Sequence, residues 1–139
     1  ICFGHQIISS ALGGKVTNNK KGWELGSYKI NINDTGKASP LFKEVVFNDY
    51  FHFSHEDVVV ELPSFAIRLA SNDMGLQSYS INDKIFGVQF HPEFSTEIMA
   101  KYVEVRYKKG IIVNYNLVFE SKSSHKIISN FIDIVRENL

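Results

Sequence analysis

Cys2 is the single cysteine among 139 residues, and the residues beside it could make its thiol useful. In Ile1-Cys2-Phe3-Gly4-His5-Gln6 an apolar residue gives way to a helical pattern. If Ile1 closes a strand and Phe3 opens a helix, Cys2 occupies the sharp turn between them. Such a turn calls for small residues two positions to either side, because the backbone bends tightly there. Gly4 is the one on the C-terminal side. A thiol at a helix N-terminus meets unpaired N–H groups and the positive end of the dipole, which favour thiolate. The Phe3 N–H would then point toward an oxyanion formed beside the sulfur. A lone cysteine also reads as a small buried hydrophobe. Its partners decide between the two.

The strongest partner is His91, in Gly87-Val88-Gln89-Phe90-His91-Pro92-Glu93. Val88 and Phe90 alternate with Gln89, so His91 stands at the C-terminal end of a strand. Open α/β sheets build their sites at such ends. Residues two apart in extended chain face the same side, with Cα atoms about 7 Å apart. The Glu93 carboxylate can therefore fold back on the His91 ring and fix its tautomer, the third role in a nucleophile–base–orienter set. Pro92 stiffens the spacing. By itself the motif also fits a strand-end histidine with an exposed glutamate nearby.

The remaining candidates are weaker. Gln6, in the first turn after Cys2, could aim its amide at a substrate or lie on the helix surface. His55, in Ser54-His55-Glu56-Asp57, follows an expected strand and could line the same pocket or be a capped loop residue. His52 alternates with Phe51 and Phe53 and reads as a sheet-face residue, and His125 as a solvated helix residue. His, Asp and Glu are too scattered for a zinc site, and no glycine-rich phosphate loop follows a strand. No metal and no cofactor is expected.

The elements that must position these residues follow from periodicity. Residues 3–12 read as a helix stopped by Gly13-Gly14. Residues 25–32 alternate as one strand, 33–37 as a turn, and Pro40-Leu41-Phe42 as a helical turn. Val45 to Phe53 reads as strand, then Phe65 to Ala70, Leu76 to Ile81 and Ile85 to Phe90, with a hairpin turn at Asn82-Asp83-Lys84. Ser95 or Thr96 caps a helix to about Lys109, with Ile98, Met99, Tyr102 and Val103 inward. A last helix from about Ser123 carries the stripe Ile127, Ile128, Phe131, Ile132, Ile134 and Val135. Helices flanking a strand-rich middle make the class α/β or α+β.

With 44% hydrophobic residues the chain can build one real core. Lys+Arg and Asp+Glu number 15 each, so no basic field exists for nucleic acid or an anionic membrane. One cysteine makes no internal disulfide, and no apolar run reaches membrane-span length, which together point to a reducing, cytoplasmic setting.

Cys2-Phe3-Gly4-His5-Gln6 followed by Gly87-Val88-Gln89-Phe90-His91-Pro92-Glu93 resembles the class I glutamine amidotransferase family. Its elbow reads Gly-x-Cys-x-Gly-His/Gln-Gln, and its second motif ends in His-Pro-Glu. Ser54-His55-x-Asp57-x-Val59, with Leu62-Pro63 after it, resembles the GMP-synthase type of amidotransferase domain. Lys20-Lys21-Gly22-Trp23-Glu24-Leu25-Gly26 resembles a stand-alone branch that includes γ-glutamyl peptidases. The likeness runs through the whole chain.

The resemblance implies a flavodoxin-like α/β domain with a central, mostly parallel sheet, of which residues 1–139 are the C-terminal part. It implies Cys2 as nucleophile, His91 as acid/base and Glu93 as its orienter. Phe3 would supply one oxyanion donor, and Gln6 would bind the γ-glutamyl group. Ser54 and His55 would help hold the α-amino and carboxylate ends. Glu56 stands where the GMP-synthase pattern commonly has glycine, which alters that loop's contacts. The implied activity is hydrolysis of the γ-amide of glutamine or of a γ-glutamyl compound through a thioester. Either ammonia passes to a synthetase partner, or the protein acts alone as a γ-glutamyl hydrolase. Gly22-Trp23-Glu24 and the absence of an ATP-pyrophosphatase domain within the chain favour the second. A non-catalytic relative that keeps the fold is the alternative; intact Cys2, His91 and Glu93 argue against it. The βα units and the glycine-rich loop that complete such a site are expected upstream of Ile1, so residues 1–139 alone are expected to be poorly folded or inactive.

Overall fold

Short turns decide how this chain pairs its strands. The computed structural model describes all 139 residues. In order, it contains α1 (Phe3–Ala11), β1 (Lys15–Asn18), β2 (Glu24–Lys29), β3 (Asn31–Ile32), α2 (Asp34–Ala38) and a 3₁₀ turn (Pro40–Phe42). Then come β4 (Tyr50–His55), β5 (Asp57–Glu61), β6 (Ala66–Asn72), β7 (Gly75–Ile81), β8 (Ile85–Val88), α3 (Thr96–Lys108) and α4 (Lys126–Glu137). Asn82 and Asp83 take φ of 52° and 51°, the left-handed pair that a tight hairpin needs, and they join β7 to β8. Strands β3-β6-β7-β8 form one sheet, while β2 pairs with β4 and β1 with β5.

The mixed α/β class is as expected. Every ladder among these strands is antiparallel, however, where a mostly parallel sheet was the expectation. In the four-stranded sheet the cause is connection length: Asp73-Met74 separate β6 from β7, and Asn82-Asp83-Lys84 separate β7 from β8. Parallel neighbours need a crossover of about a dozen residues or more.

Other local differences have similarly local causes. The strand expected over 25–32 is split at Ile30 into β2 and β3, which join different sheets. The expected turn at 33–37 is helix α2, because the Asn33 side chain accepts a bond from the Gly36 N–H and caps it. Strand begins only at Tyr50 rather than Val45. In α3, Met99 and Val103 face inward, whereas Ile98 and Tyr102 remain exposed.

The largest core cluster includes Leu41, Phe42, Phe51, Phe53, Leu69, Val88, Phe90, Ile127 and Ile134. It backs the strand end that carries His91. A second cluster, Leu25, Met99, Val103 and Ile112, holds α3. A third, Val59, Leu76, Tyr79 and Ile81, receives Ile8 of α1. The lead into α4 is clamped by buried Asp49. Its carboxylate accepts the backbone N–H of Lys122 at 3.0 Å and the N–H and hydroxyl of Ser123 at 2.6 and 2.7 Å. Only Ile127 and Ile134 of α4 are buried; Ile128, Phe131, Ile132 and Val135 stay exposed. No helix is long and apolar enough to cross a membrane.

Two glycines differ in what they do. Gly26 has φ +110°, and a Cβ there would lie 2.3 Å from the Asn116 carbonyl oxygen, where the 114–119 segment runs against β2. Gly4, expected to be required by a tight elbow, has open space within residues 1–139: a Cβ would meet nothing within 4 Å there. Gly26→Ala is therefore expected to cost more than about 1 kcal/mol and to lower the thermal midpoint by several degrees. Gly4→Ala should leave it unchanged or slightly raised, because alanine is the better helix former. Thermal melts followed by circular dichroism read both.

Candidate active site

A residue with a side chain rarely takes positive φ, and Cys2 does: φ 47°, ψ −103°. Such backbone costs about 1–3 kcal/mol and persists only where surrounding bonds enforce it. Here the Cys2 N–H donates to the Val88 carbonyl at 2.8 Å, and the Gly4 N–H closes back on Ile1 at 2.9 Å. The elbow is thus pinned to the end of β8, the strand that leads to His91. The Phe3 N–H follows as the first of α1, a position the helix itself leaves without a partner. The Phe3 ring is 70% exposed and takes no part in the site.

Beyond β8 the chain bends at Gln89-Phe90, short of the strand expected to run to Phe90, and is held on two sides. The Gln89 N–H donates to Gln77 O at 2.9 Å, and the His91 N–H donates to His52 O at 2.8 Å. The His91 ring stacks on Phe94, with centroids 4.2 Å apart and planes 15° apart. Its Nδ1 meets Glu93 Oε1 at 2.7 Å. Cys2 lies close enough to the ring for its sulfur to raise the His91 pKa. Cys2, His91 and Glu93 thus lie in one line of contacts.

The electrostatics follow from that line. Burial alone would lower the His91 pKa; the bonds to Cys2 and Glu93, with their charges, overcome it and push it up to about 9. Burial works against ionisation of Glu93 as well, and the bond to His91 more than offsets it, so its carboxyl sits below the usual range. The balance favours the imidazolium form of His91, between a sulfur and a carboxylate.

The other expected site residues are placed less simply. Gln6 is buried, with its Nε2 donating to Asp57 O at 2.9 Å and to Gln89 Oε1 at 3.1 Å. Ser54 lies in β4 with its hydroxyl buried and unpartnered. The His55 ring is 3% exposed, and both nitrogens are taken: Nδ1 by Asp57 O at 2.7 Å, Nε2 by Glu24 Oε2 at 2.6 Å. No ring atom of His55 is left for a ligand. His52 is buried against Ser27 Oγ at 3.0 Å, as a sheet-face residue should be. His5 is fully buried on Tyr79, and desolvation drives its pKa down to about 3. No group of three or more His, Cys, Asp or Glu is placed to hold a metal ion.

Sequence reasoning overlooked Gln89 and Glu24. Gln89 Nε2 lies 3.4 Å from Cys2 Sγ, and the Glu24 carboxylate, fully buried, accepts from His55, Asn72 and Gln77. The signal for each was a polar residue set among apolar ones, Val88-Gln89-Phe90 and Trp23-Glu24-Leu25. Such a residue must find partners when buried.

A model of the glutamine amidotransferase class-I family matches residues 1–109. Gamma-glutamyl peptidase 3 of Arabidopsis thaliana is 38% identical over 108 residues, which cover 75% of this chain and 43% of that protein. A glutamine-hydrolyzing GMP synthase of Cytophaga hutchinsonii is 32% identical over 104 residues, covering 73% of this chain and 20% of that protein. The chain thus spans less than half the length of these two relatives. Among solved structures, a glutamine amidotransferase from Thermotoga maritima superposes with a TM-score of 0.66 at 23% identity, over 98% of this chain and 53% of that one.

The paired His91 and Glu93 have a measurable pH signature. Folding raises the His91 pKa from 6.5 to about 9, so its contribution to stability is complete below pH 6.5 and is lost as pH rises through about 9. Glu93, lowered, contributes above its unfolded pKa and loses that contribution as pH falls through its folded value. The thermal midpoint should therefore decline between pH 6.5 and 9, and Glu93→Gln should flatten the decline. A His91 ring that titrates near 6.5 by NMR would show that the pair does not form.

Proposed function

The chain belongs to the class I glutamine amidotransferase family, and we propose that it carries the nucleophile and acid/base half of a cysteine-dependent γ-glutamyl amidohydrolase. One observation carries the reading: Cys2 stands on a left-handed elbow bonded to Val88, beside the His91 ring, whose Nδ1 meets the Glu93 carboxylate.

In this mechanism the Cys2 thiolate attacks the γ-carbonyl carbon of glutamine or a γ-glutamyl compound. The Phe3 N–H donates a hydrogen bond to the carbonyl oxygen as negative charge builds on it, an interaction worth about 3 kcal/mol per donor. Protonated His91 gives its proton to the departing nitrogen as the C–N bond breaks. This leaves a γ-glutamyl thioester and a neutral imidazole. The imidazole then takes a proton from water, the hydroxyl adds to the thioester carbon, and thiolate departs. Glu93 holds His91 by Nδ1 throughout, so the other nitrogen handles both protons. Ser54, with its buried and unpartnered hydroxyl on β4, is assigned to the substrate wall. His55, its nitrogens spoken for, is assigned to the backbone behind that wall.

The higher identity to a protein named gamma-glutamyl peptidase favours γ-glutamyl peptides over glutamine as substrate. The synthase-named relative keeps ammonia delivery to a synthetase partner as the second reading. Residues 1–139 are assigned to the C-terminal part of a single amidotransferase domain. An apolar groove of about 300 Å³ beside the elbow, lined by Ile1, Phe86, Val88, Pro92, Ile127 and Phe131 among others, supports packing of a further part of that domain there. The second oxyanion donor is assigned to that part as well.

In the whole protein, Cys2→Ala and His91→Asn should each lower γ-glutamyl hydrolysis by about a thousandfold or more. A γ-glutamyl dipeptide assay beside a glutaminase assay separates the two substrate readings: glutaminase activity without dipeptide turnover would sink the peptidase version. Residues 1–139 alone should be inactive. A cooperative melt together with turnover by that segment would overturn the assignment to part of a domain.

A further inference from the structure

Two glutamine side chains in the interior leave little freedom in how they point. The Asp57 carbonyl oxygen can only accept hydrogen bonds. It faces Gln6 Nε2 at 2.9 Å and His55 Nδ1 at 2.7 Å, so both of these atoms must donate. The second hydrogen on Gln6 Nε2 is then aimed at Gln89, whose nearer atom must be the accepting Oε1, at 3.1 Å. With its oxygen turned to Gln6, Gln89 presents Nε2 to the Cys2 sulfur at 3.4 Å. Turning the Gln89 amide over would set two donors face to face and an oxygen against the sulfur.

Behind His55 the same logic continues. His55 Nε2 donates to Glu24 Oε2 at 2.6 Å. Gln77 Nε2 donates to that oxygen at 2.9 Å, and Asn72 Nδ2 donates to Oε1 at 2.5 Å. Glu24 is 0% exposed and His55 5%, so neither can exchange its partner for water without breaking the interior open. A buried carboxylate with three donors is a fixed point. From it a single line of polar contacts runs through His55, the Asp57 carbonyl, Gln6 and Gln89 to Cys2 Sγ.

We propose that Gln89 is a further catalytic residue, whose amide N–H steadies the Cys2 thiolate, and that the buried Glu24–His55 pair is a positioning device that aims it through Gln6. The proposal rests on Cys2 being the nucleophile. It adds that the sulfur has two partners with different tasks: His91 exchanges protons, whereas Gln89 only donates a hydrogen bond that strengthens as sulfur becomes anionic. When the thioester forms and the sulfur loses its charge, that bond weakens, so the amide favours the thiolate on both sides of the acyl intermediate.

The test is the pH dependence of Cys2 alkylation by iodoacetamide in the whole protein, measured beside γ-glutamyl hydrolysis. Gln89→Met keeps the length of the side chain and removes the donor. It should move the alkylation inflection up by about one pH unit. It should lower kcat about tenfold, with KM changed less than about twofold. Glu24→Gln should do the same to a smaller degree. Added to Gln89→Met, Glu24→Gln should have almost no further effect on the inflection, since its influence passes through an amide no longer there. The double variant keeps this falsifiable even if Glu24→Gln lowers the melting temperature. An unmoved inflection in Gln89→Met, or an undiminished Glu24→Gln effect in the double variant, would overturn the proposal. A wild-type protein that hydrolyses no γ-glutamyl compound, yet whose inflection moves in Gln89→Met, would support the proposal and defeat the functional reading alone.

Discussion

The hydrogen bond from the Cys2 N–H to the Val88 carbonyl is the constraint on which the site depends. It joins the strained turn to the end of β8, three residues before His91. Without it Cys2 would relax from its left-handed backbone, since a side-chain-bearing residue holds φ of 47° only under restraint. Because β8 is paired to β7 and backed by Phe51, Phe53 and Phe90, the restraint is drawn from the core and not from a loop. Cys2 and His91 are thus referred to the same strand, which is how two residues 89 positions apart in sequence come to lie beside each other.

Around this anchor the interior is unusually polar on one side. Gln6, Glu24, His55, Gln77 and Gln89 are all buried, beside a core of phenylalanine and leucine. Burying such groups is favourable only if each finds a partner, because an unsatisfied one costs about 1–3 kcal/mol. Here the Gln6, Gln77 and Gln89 amide nitrogens, the Glu24 carboxylate and His55 find partners in sequence, while Gln77 Oε1 is left without one. That mutual dependence restricts the arrangement of the cluster beside the Cys2 sulfur. His5 is the contrasting case: with no partner for either nitrogen, it avoids the cost of a buried charge by staying neutral, its pKa near 3.

Much of the local structure was legible from neighbours in the chain. Helix α1, the Ser95 cap of α3 and the left-handed Asn82-Asp83 turn follow from periodicity, capping chemistry and turn chemistry, all decided within a few residues. The failures share a cause as well. The split of 25–32 into β2 and β3 depends on β4 and β6 competing for its two halves. The crowding at Gly26 depends on a distant segment, at Asn116, arriving against β2. Asn33 capping α2 was a near miss, since asparagine serves turns and N-caps alike.

The sequence by itself determined the chemical identities and their order: a single thiol at a helix start, a histidine shortly after a strand, and a glutamate two residues on. Those are local, because a two-residue spacing or a helix start is set by the backbone of a few residues. Tertiary structure alone decided who touches whom. It took the ring of His55 out of reach of any ligand by enclosing it between Asp57 and Glu24, and it brought Gln89 to the sulfur. A hydrogen bond needs its two atoms within about 3 Å, or somewhat more when one is sulfur. No pattern along the chain specifies that distance for residues 31 or 87 positions apart; only the packing of β2, β4 and β8 around the elbow does.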